Sequence, residues 1–251
     1  MGKLDNRVAL VTGSSSGIGK AVALAFAHDG AHLVINYPNE TQAHNATTVM
    51  NAIAATGRRA ITVQADVSHE DEVVRLVDKT MRIYGRIDIL VNNAGIATVS
   101  TVEKMTSTTW DEMLATNLRS VFLCTHYVLP IMYRQDYGKI INTASQLAYK
   151  GAPGLSHYCA AKAAIIGFTR ALSLEIGTRN VNANCVAPGA TETPLLSGIS
   201  AVAIEAIRAA IPKGRLATVD DIAPAYVFLA SEDARHIVGQ CISPNGGDVM
   251  L

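Results

Sequence analysis

The 251-residue chain is 49% hydrophobic and 17% charged, which supplies a sizeable core and argues against disorder. Its 21 basic and 21 acidic side chains cancel, so no global field recruits nucleic acid or an anionic membrane. Cys124, Cys159, Cys185 and Cys241 are scattered, with no C-x-x-C pair and no His spaced to complete a zinc site, so four free thiols, no metal and a reducing compartment are expected.

Met1 to Asn6 lack the apolar core of a secretion signal, and no stretch approaches the roughly 18 apolar residues of a membrane span. A soluble, cytoplasmic protein with small-molecule partners is the expectation. The first apolar run, Val8–Val11, opens onto Thr12-Gly13-Ser14-Ser15-Ser16-Gly17-Ile18-Gly19 and then the apolar helix Ala21–Ala27. A sharp turn that brings bare backbone against a pyrophosphate, at the N–H groups of a helix N-terminus, needs glycine both for the turn and for the close approach. Gly13, Ser15, Ser16, Gly17, Ile18 and Gly19 are therefore candidate dinucleotide contacts. Their spacing differs from the common fingerprint, with three residues between the first two glycines and one between the last two.

The second run, Leu33–Ile35, leads into Asn36-Tyr37-Pro38-Asn39, with Asn36 and Tyr37 as candidate contacts. An acid here grips a ribose 2′-hydroxyl and an Arg accommodates a 2′-phosphate, and this chain carries neither. After Ile61–Val63, Asp66 and Val67 stand where a carboxylate and a backbone amide can hold an adenine. Ile87–Val91 is followed by Asn92-Asn93-Ala94-Gly95, of which Asn93, Ala94 and Gly95 leave amide or small side chains at the strand's carboxyl edge. Ser68 with Asp71, Thr108 with Asp111 and Thr218 with Asp221 read as capping boxes at helix starts. A long apolar-rich helix is expected over Asp111–Arg134.

The strand Lys139–Thr143, around Ile140–Ile141, delivers Ser145 to the same edge, and Leu155–Ile176 reads as one helix with Tyr158 and Lys162 four residues apart on one face. A phenol near pKa 10 is a poor acid–base group at neutral pH, and a nearby ammonium favours its ionised form. Ser145 can hold a substrate oxygen. His157 points about 100° away around the helix, and reads as a pocket-wall or surface residue; Cys159 reads as a small buried hydrophobe. A sixth run, Val181–Val186, follows, and Thr191–Lys213, bracketed by Pro194 and Pro212, reads as a lid-like insertion over the site. Unalternating apolar runs separated by helices predict a single-domain, doubly wound parallel α/β sheet of Rossmann type over residues 1–251, with helices on both faces.

These elements together resemble the classical short-chain dehydrogenase/reductase family along practically the whole chain. The matching residues, in the family's order, are Thr12-Gly13-x-x-x-Gly17-x-Gly19, Asp66, Asn92-Asn93-Ala94-Gly95, Asn117, Ser145, Tyr158-x-x-x-Lys162 and Pro188-Gly189. The resemblance implies that Tyr158 is the acid in reduction and the base in oxidation. By it, Ser145 orients the carbonyl, Lys162 binds the nicotinamide ribose and tunes Tyr158, and Asn117 holds a water linking Lys162 to solvent. Pro188, Gly189 and Thr193 would lie along the nicotinamide, with no metal involved. It further implies NADP(H) or NAD(H), leaning to NADP(H) because family members with Asn-Tyr after the second strand often accept it, and a homotetramer, with Val238–Ser243 pairing across a second interface. The expected substrate is a ketone or secondary alcohol. The alternatives are a 3-oxoacyl-[acyl-carrier-protein] reductase and a non-catalytic dinucleotide-binding regulatory protein. Against the carrier-linked reading, the two arginines of such reductases correspond here to Arg179 and, with reversed sign, Asp136, expected beside the active-site mouth.

Overall fold

Seven parallel strands form one sheet in the order β3-β2-β1-β4-β5-β6-β7 in this computed structural model, which describes residues 2–250. The first half of the sheet contains β1 (Val8–Val11), β2 (His32–Tyr37), β3 (Ala60–Gln64) and β4 (Ile89–Asn92). The second half contains β5 (Gly138–Thr143), β6 (Val181–Val186) and β7 (Cys241–Ile242). Ala9 and Val11 face one helical layer, made of α1 (Gly17–His28), α2 (Ala43–Ala55) and α9 (Val219–Ala230). Leu10 faces the other, made of α3 (Glu70–Tyr84), α5 (Ser120–Gln135) and α7 (Ser156–Ile176). Coverage of both faces is why the strands are apolar without alternation. The order reverses between β1 and β4, and the crevice at the carboxyl ends of the strands there is where such sheets take ligands.

The structure redraws several expected details. Ile87 lies outside β4, because Gln135 meets both its N–H and its carbonyl, at 3.0 and 2.8 Å. Thr218 and Asp221 form the expected capping box at the start of α9. The other two do not form. Ser68 turns its hydroxyl to Asp66 Oδ1 (2.7 Å), and α4 (Ser107–Leu114) is capped by Thr106, which accepts from the Thr109 N–H. The helix expected over Asp111–Arg134 is interrupted by a π turn at Ala115–Arg119. The Asn117 side-chain amide donates to the Met113 carbonyl at 3.1 Å, competing with the backbone ladder and widening the turn.

Candidate active site

The cleft begins where β1 ends. Gly13 and Gly17 adopt φ of +61° and +53°, a region where a Cβ is strained. The turn is fixed from two sides. Asn36 Oδ1 accepts the Gly13 N–H at 3.0 Å, and Asn93 Nδ2 donates to the Thr12 and Gly13 carbonyls at 2.9 and 3.3 Å. Thr12 Oγ1 in turn accepts from the N–H groups of Asn93 and Ala94. The α1 N-terminus that follows has no side-chain cap and no acid in its first turn, so its N–H groups face the cleft unopposed, as a pyrophosphate requires.

One cleft of about 660 Å³ is lined by Gly13, Ser15, Ser16, Gly17, Ile18, Asn36, Asp66, Val67, Asn93, Ala94 and Gly95 on one side. Asn117, Ser145, Tyr158, Lys162, Pro188, Gly189 and Thr193 line the other. Two of the expected contacts are not among the lining residues. A Cβ on Gly19 would meet Asn93 Nδ2 and the Gly13 carbonyl at 2.5 Å, so its bare backbone lets α1 close onto the turn. Tyr37 is half-buried against the core beneath α1 and α2. Asn36 touches the cleft, but its amide is committed to Gly13 and to the Ala65 carbonyl (2.9 Å). The ribose end is instead bordered by Pro38, Asn39 and Gln42, with Ser15 donating to Gln42 Oε1 at 3.2 Å. Gln42 carries no motif signal in the sequence, and only the turn after β2 brings it to the glycine loop.

At the other end, Lys162 is buried and donates to the Thr143 carbonyl at 2.8 Å. Burial lowers its pKa to about 8. Its ammonium lies 5.7 Å from the centre of the Tyr158 ring. Burial raises the Tyr158 phenol above its ordinary value, against a hydrogen bond with Ser145 that lowers it. The expected lowering of the phenol by the ammonium is not found; burial is the largest influence on the phenol and raises it. Asn117 Oδ1 is buried with no hydrogen-bond partner in the chain, while its amide nitrogen is held by the Ile96 and Met113 carbonyls. A Cβ on Gly95 would stand 2.5 Å from that oxygen and 3.6 Å from Lys162 Nζ, so both polar atoms border the same space beside Gly95. A glycine cradle, an uncapped helix start and this polar pair fit a nicotinamide dinucleotide.

The segment 146–153, expected with 191–213 to wall the substrate, contributes Gln146 and Leu147 to the cleft lining. Gln146 and Lys150, on and beside α6 (Leu147–Lys150), are tied to the C-terminal segment by Asp248, at 2.7 Å from Gln146 Nε2 and 2.6 Å from Lys150 Nζ. Thr143 is locked by the buried Tyr226 hydroxyl of α9 at 2.8 Å. His157 is fully buried and bonded to Thr98 Oγ1 at 3.0 Å, rather than at the surface or on the pocket wall. Its face of α7 turns under the loop after β4. Cys159, expected to be buried, is half-exposed. Asp136 and Arg179 lie at the amino ends of β5 and β6, across the sheet from the cleft, where Arg179 stacks on Tyr133 at 3.9 Å. They therefore do not flank the mouth of the same chain, because the C-terminus of a helix in a parallel crossover returns to the opposite edge of the sheet.

A family profile described as enoyl-(acyl carrier protein) reductase matches residues 13–248. The chain is 42% identical to a 3-oxoacyl-[acyl-carrier-protein] reductase of Synechocystis, over all of both chains. It is 38% identical to the (2S)-[(R)-hydroxy(phenyl)methyl]succinyl-CoA dehydrogenase subunit BbsD of Thauera aromatica, over 97% of each. A dehydrogenase/reductase structure from Sinorhizobium meliloti superposes with a TM-score of 0.92 at 32% identity, covering 98% of this chain and 96% of that one.

Proposed function

The chain belongs to the classical short-chain dehydrogenase/reductase family, and from that premise we propose that Tyr158, Ser145, Lys162 and Asn117 interconvert an uncharged ketone and its secondary alcohol, with NADP(H) preferred. It is a nicotinamide-dependent oxidoreductase acting on CH–OH and keto groups. The observation that carries the substrate reading is the charge of the wall. Among the described residues lining the cleft, only Asp66 and Lys162 are ionisable acids or bases of the Asp, Glu, Lys and Arg type. The first belongs to the adenine end and the second to the proton-transfer set. The remaining wall includes the apolar Ile96, Leu147, Leu195 and Leu196 and the uncharged Gln146, which offer no anchor for a substrate charge.

Gly13, Gly17 and the α1 N-terminus would hold the pyrophosphate, Asp66 and Val67 the adenine, and Pro188, Gly189 and Thr193 the nicotinamide. Bound there, the cofactor supplies or accepts a hydride. Ser145 orients the carbonyl oxygen against the Tyr158 hydroxyl. Because burial keeps that phenol protonated at neutral pH, it serves as the acid when a ketone is reduced. Lys162 and Asn117, bordering one space beside Gly95, return the proton from solvent. The neutral hydroxyl and amide groups of Ser15, Ser16, Asn39 and Gln42 at the ribose end present no carboxylate against a 2′-phosphate, which supports NADP(H).

A second reading, reduction of carrier-linked 3-oxoacyl thioesters, is favoured by the printed names of relatives such as those of Synechocystis and Thermotoga maritima. Comparing kcat/KM for a carrier-linked 3-oxoacyl thioester with that for free ketones separates the two. A carrier-linked preference of about a hundredfold, near 3 kcal/mol, overturns the first.

A homotetramer accompanies this reading. Trp110, Phe122 and Leu174, on α4, α5 and α7, are 38%, 50% and 85% exposed, and large apolar side chains in this setting suit a helix-to-helix interface. Segment 191–213 acts as a lid, with Thr193, Leu195 and Leu196 on the cleft and α8 (Ala201–Ala210) burying no side chain. Light scattering at micromolar concentration tests the assembly, and a monomer contradicts it.

A further inference from the structure

Cys185 of β6 and Cys241 of β7 are direct partners in the parallel register, so their side chains leave the sheet on the same face. Both pack in one apolar cluster with Ile165 and Tyr149. Adjacent strands stand ~4.8 Å apart, inside the roughly 4.4–6.8 Å Cα window that a disulfide spans. The register and the shared cluster set the two thiols beside one another. Cys185 is buried, with its sulfur 3.0 Å from Thr169 Oγ1. Cys241 is half-exposed on the edge strand and packs against the same cluster as Tyr149.

We propose that Cys241 and Cys185 are an oxidisable dithiol in which Cys241 reacts with a peroxide and Cys185 closes a disulfide, tying β7 to β6 beneath the substrate wall. The Cys241 thiolate attacks one peroxide oxygen, the O–O bond breaks, and hydroxide leaves a sulfenic acid behind. The Cys185 sulfur then attacks the sulfenic sulfur. Its proton joins the departing oxygen as water, and the S–S bond forms. In sum, two thiols lose two hydrogens and one hydrogen peroxide becomes two waters.

The division of labour follows from surroundings. The neighbouring Cys185 and Tyr149, with the Arg170 guanidinium, hold the Cys241 thiol below its ordinary range, whereas the neighbouring Cys241 and burial push Cys185 up. Cys124, by contrast, is fully buried and pushed up to about 12. The Cβ bonds of a parallel pair run side by side instead of converging, so the bridge closes under strain and reduces readily.

The bridge has a route to the cleft. Tyr149 belongs to α6, whose Leu147 lines it, and β6 runs directly into Pro188 and Gly189. Closing the disulfide shifts Cys241 within the cluster that Tyr149 packs against, loosens α6, and lowers turnover; this last step rests on the ketone-reducing activity proposed above, whereas the thiol chemistry does not.

The test is hydrogen peroxide titration of the full chain, with thiols counted after denaturation, bridged peptides mapped, and kcat/KM followed. Thiols are expected to fall from four to two. A single Cys185–Cys241 bridge should appear, with kcat/KM down about tenfold and both changes reversed by dithiothreitol. Cys241→Ser, or Cys241→Ala if the first folds poorly, should keep its thiols and its activity under the same peroxide. Oxidation confined to Cys159, or a bridge between chains, overturns the proposal, as does irreversible over-oxidation of Cys241. A bridge formed with kcat/KM unchanged overturns its link to the cleft. Failure of the functional reading is distinguishable, because reduced protein would then turn over no ketone.

Discussion

At the glycine-loop end of the cleft, Thr12, Asn36 and Asn93 are held by partners inside the chain, whereas toward the catalytic end Asn117 Oδ1, Gln146 Oε1 and His157 Nδ1 are buried with none. A buried amide whose donors and acceptor are all met stiffens the backbone around it. One with an unmet acceptor keeps capacity for a ligand or a relay. The first end is therefore suited to gripping the proposed cofactor by backbone shape, and the second to the proposed proton transfer. Segment 191–213 repeats the contrast, since Leu195 and Val202 are 48% and 82% exposed while β1 is wholly buried.

The largest effect that separates the two ends is expected from Tyr158→Phe. It removes the acid and keeps the ring, so turnover should fall by about two to four decades while cofactor affinity, measured by fluorescence titration, barely moves. Turnover close to wild type would falsify the assignment.

Lys162→Met probes the strain that function imposes on the catalytic end. The folded-state pKa of about 8 lies below the ordinary 10.5, so burial penalises the charged lysine in full below pH 8, and the penalty fades as pH rises to 10.5. The variant should be the more stable below pH 8, by on the order of 3 kcal/mol before the lost Thr143 hydrogen bond is subtracted. That advantage should shrink toward pH 10.5. Denaturant midpoints at several pH values check the slope, and an advantage that grows with pH contradicts the assignment.

Asn36→Asp tests the opposite end. The new carboxylate could still accept from Gly13 but would face the Ala65 and Val63 carbonyls, to which the amide now donates. A loss of about 1–3 kcal/mol is expected, seen as a lower Tm, with cofactor preference a secondary matter. A Tm equal to wild type means that the latch is dispensable.

The smallest effect is expected from Asn39→Asp. The side chain caps the turn by accepting from the Thr41 N–H at 3.2 Å, a role aspartate can keep. It adds one charge at the ribose end, so the NADP(H)-to-NAD(H) ratio of kcat/KM should fall by about tenfold. An unchanged ratio places the 2′-substituent elsewhere.

How much was readable follows from how local each signal is. The runs Val8–Val11 and Val181–Val186 became strands with the expected bounds, because a strand covered on both faces must be apolar throughout. Tyr158 and Lys162 share a face by helical spacing alone. Conversely, Thr108, the threonine followed three residues later by an acid, lies inside α4, and Thr106, followed three residues later by Thr109, caps it instead. The second carbonyl that holds the Asn117 amide, that of Ile96, is 21 residues away, which no window on the chain contains.

By itself the sequence determined the alternation of strands and helices, the presence of the glycine turn and the Tyr158–Lys162 pair, because each is signalled by residue types only a few positions apart. Tertiary structure alone decided that Asn36 is a latch, that Asp248 braces Gln146 and Lys150, that Asp136 and Arg179 lie across the sheet from the cleft, and that Cys185 meets Cys241. Those outcomes depend on which strands become neighbours and at which edge each helix ends, properties of the whole sheet that no local pattern encodes.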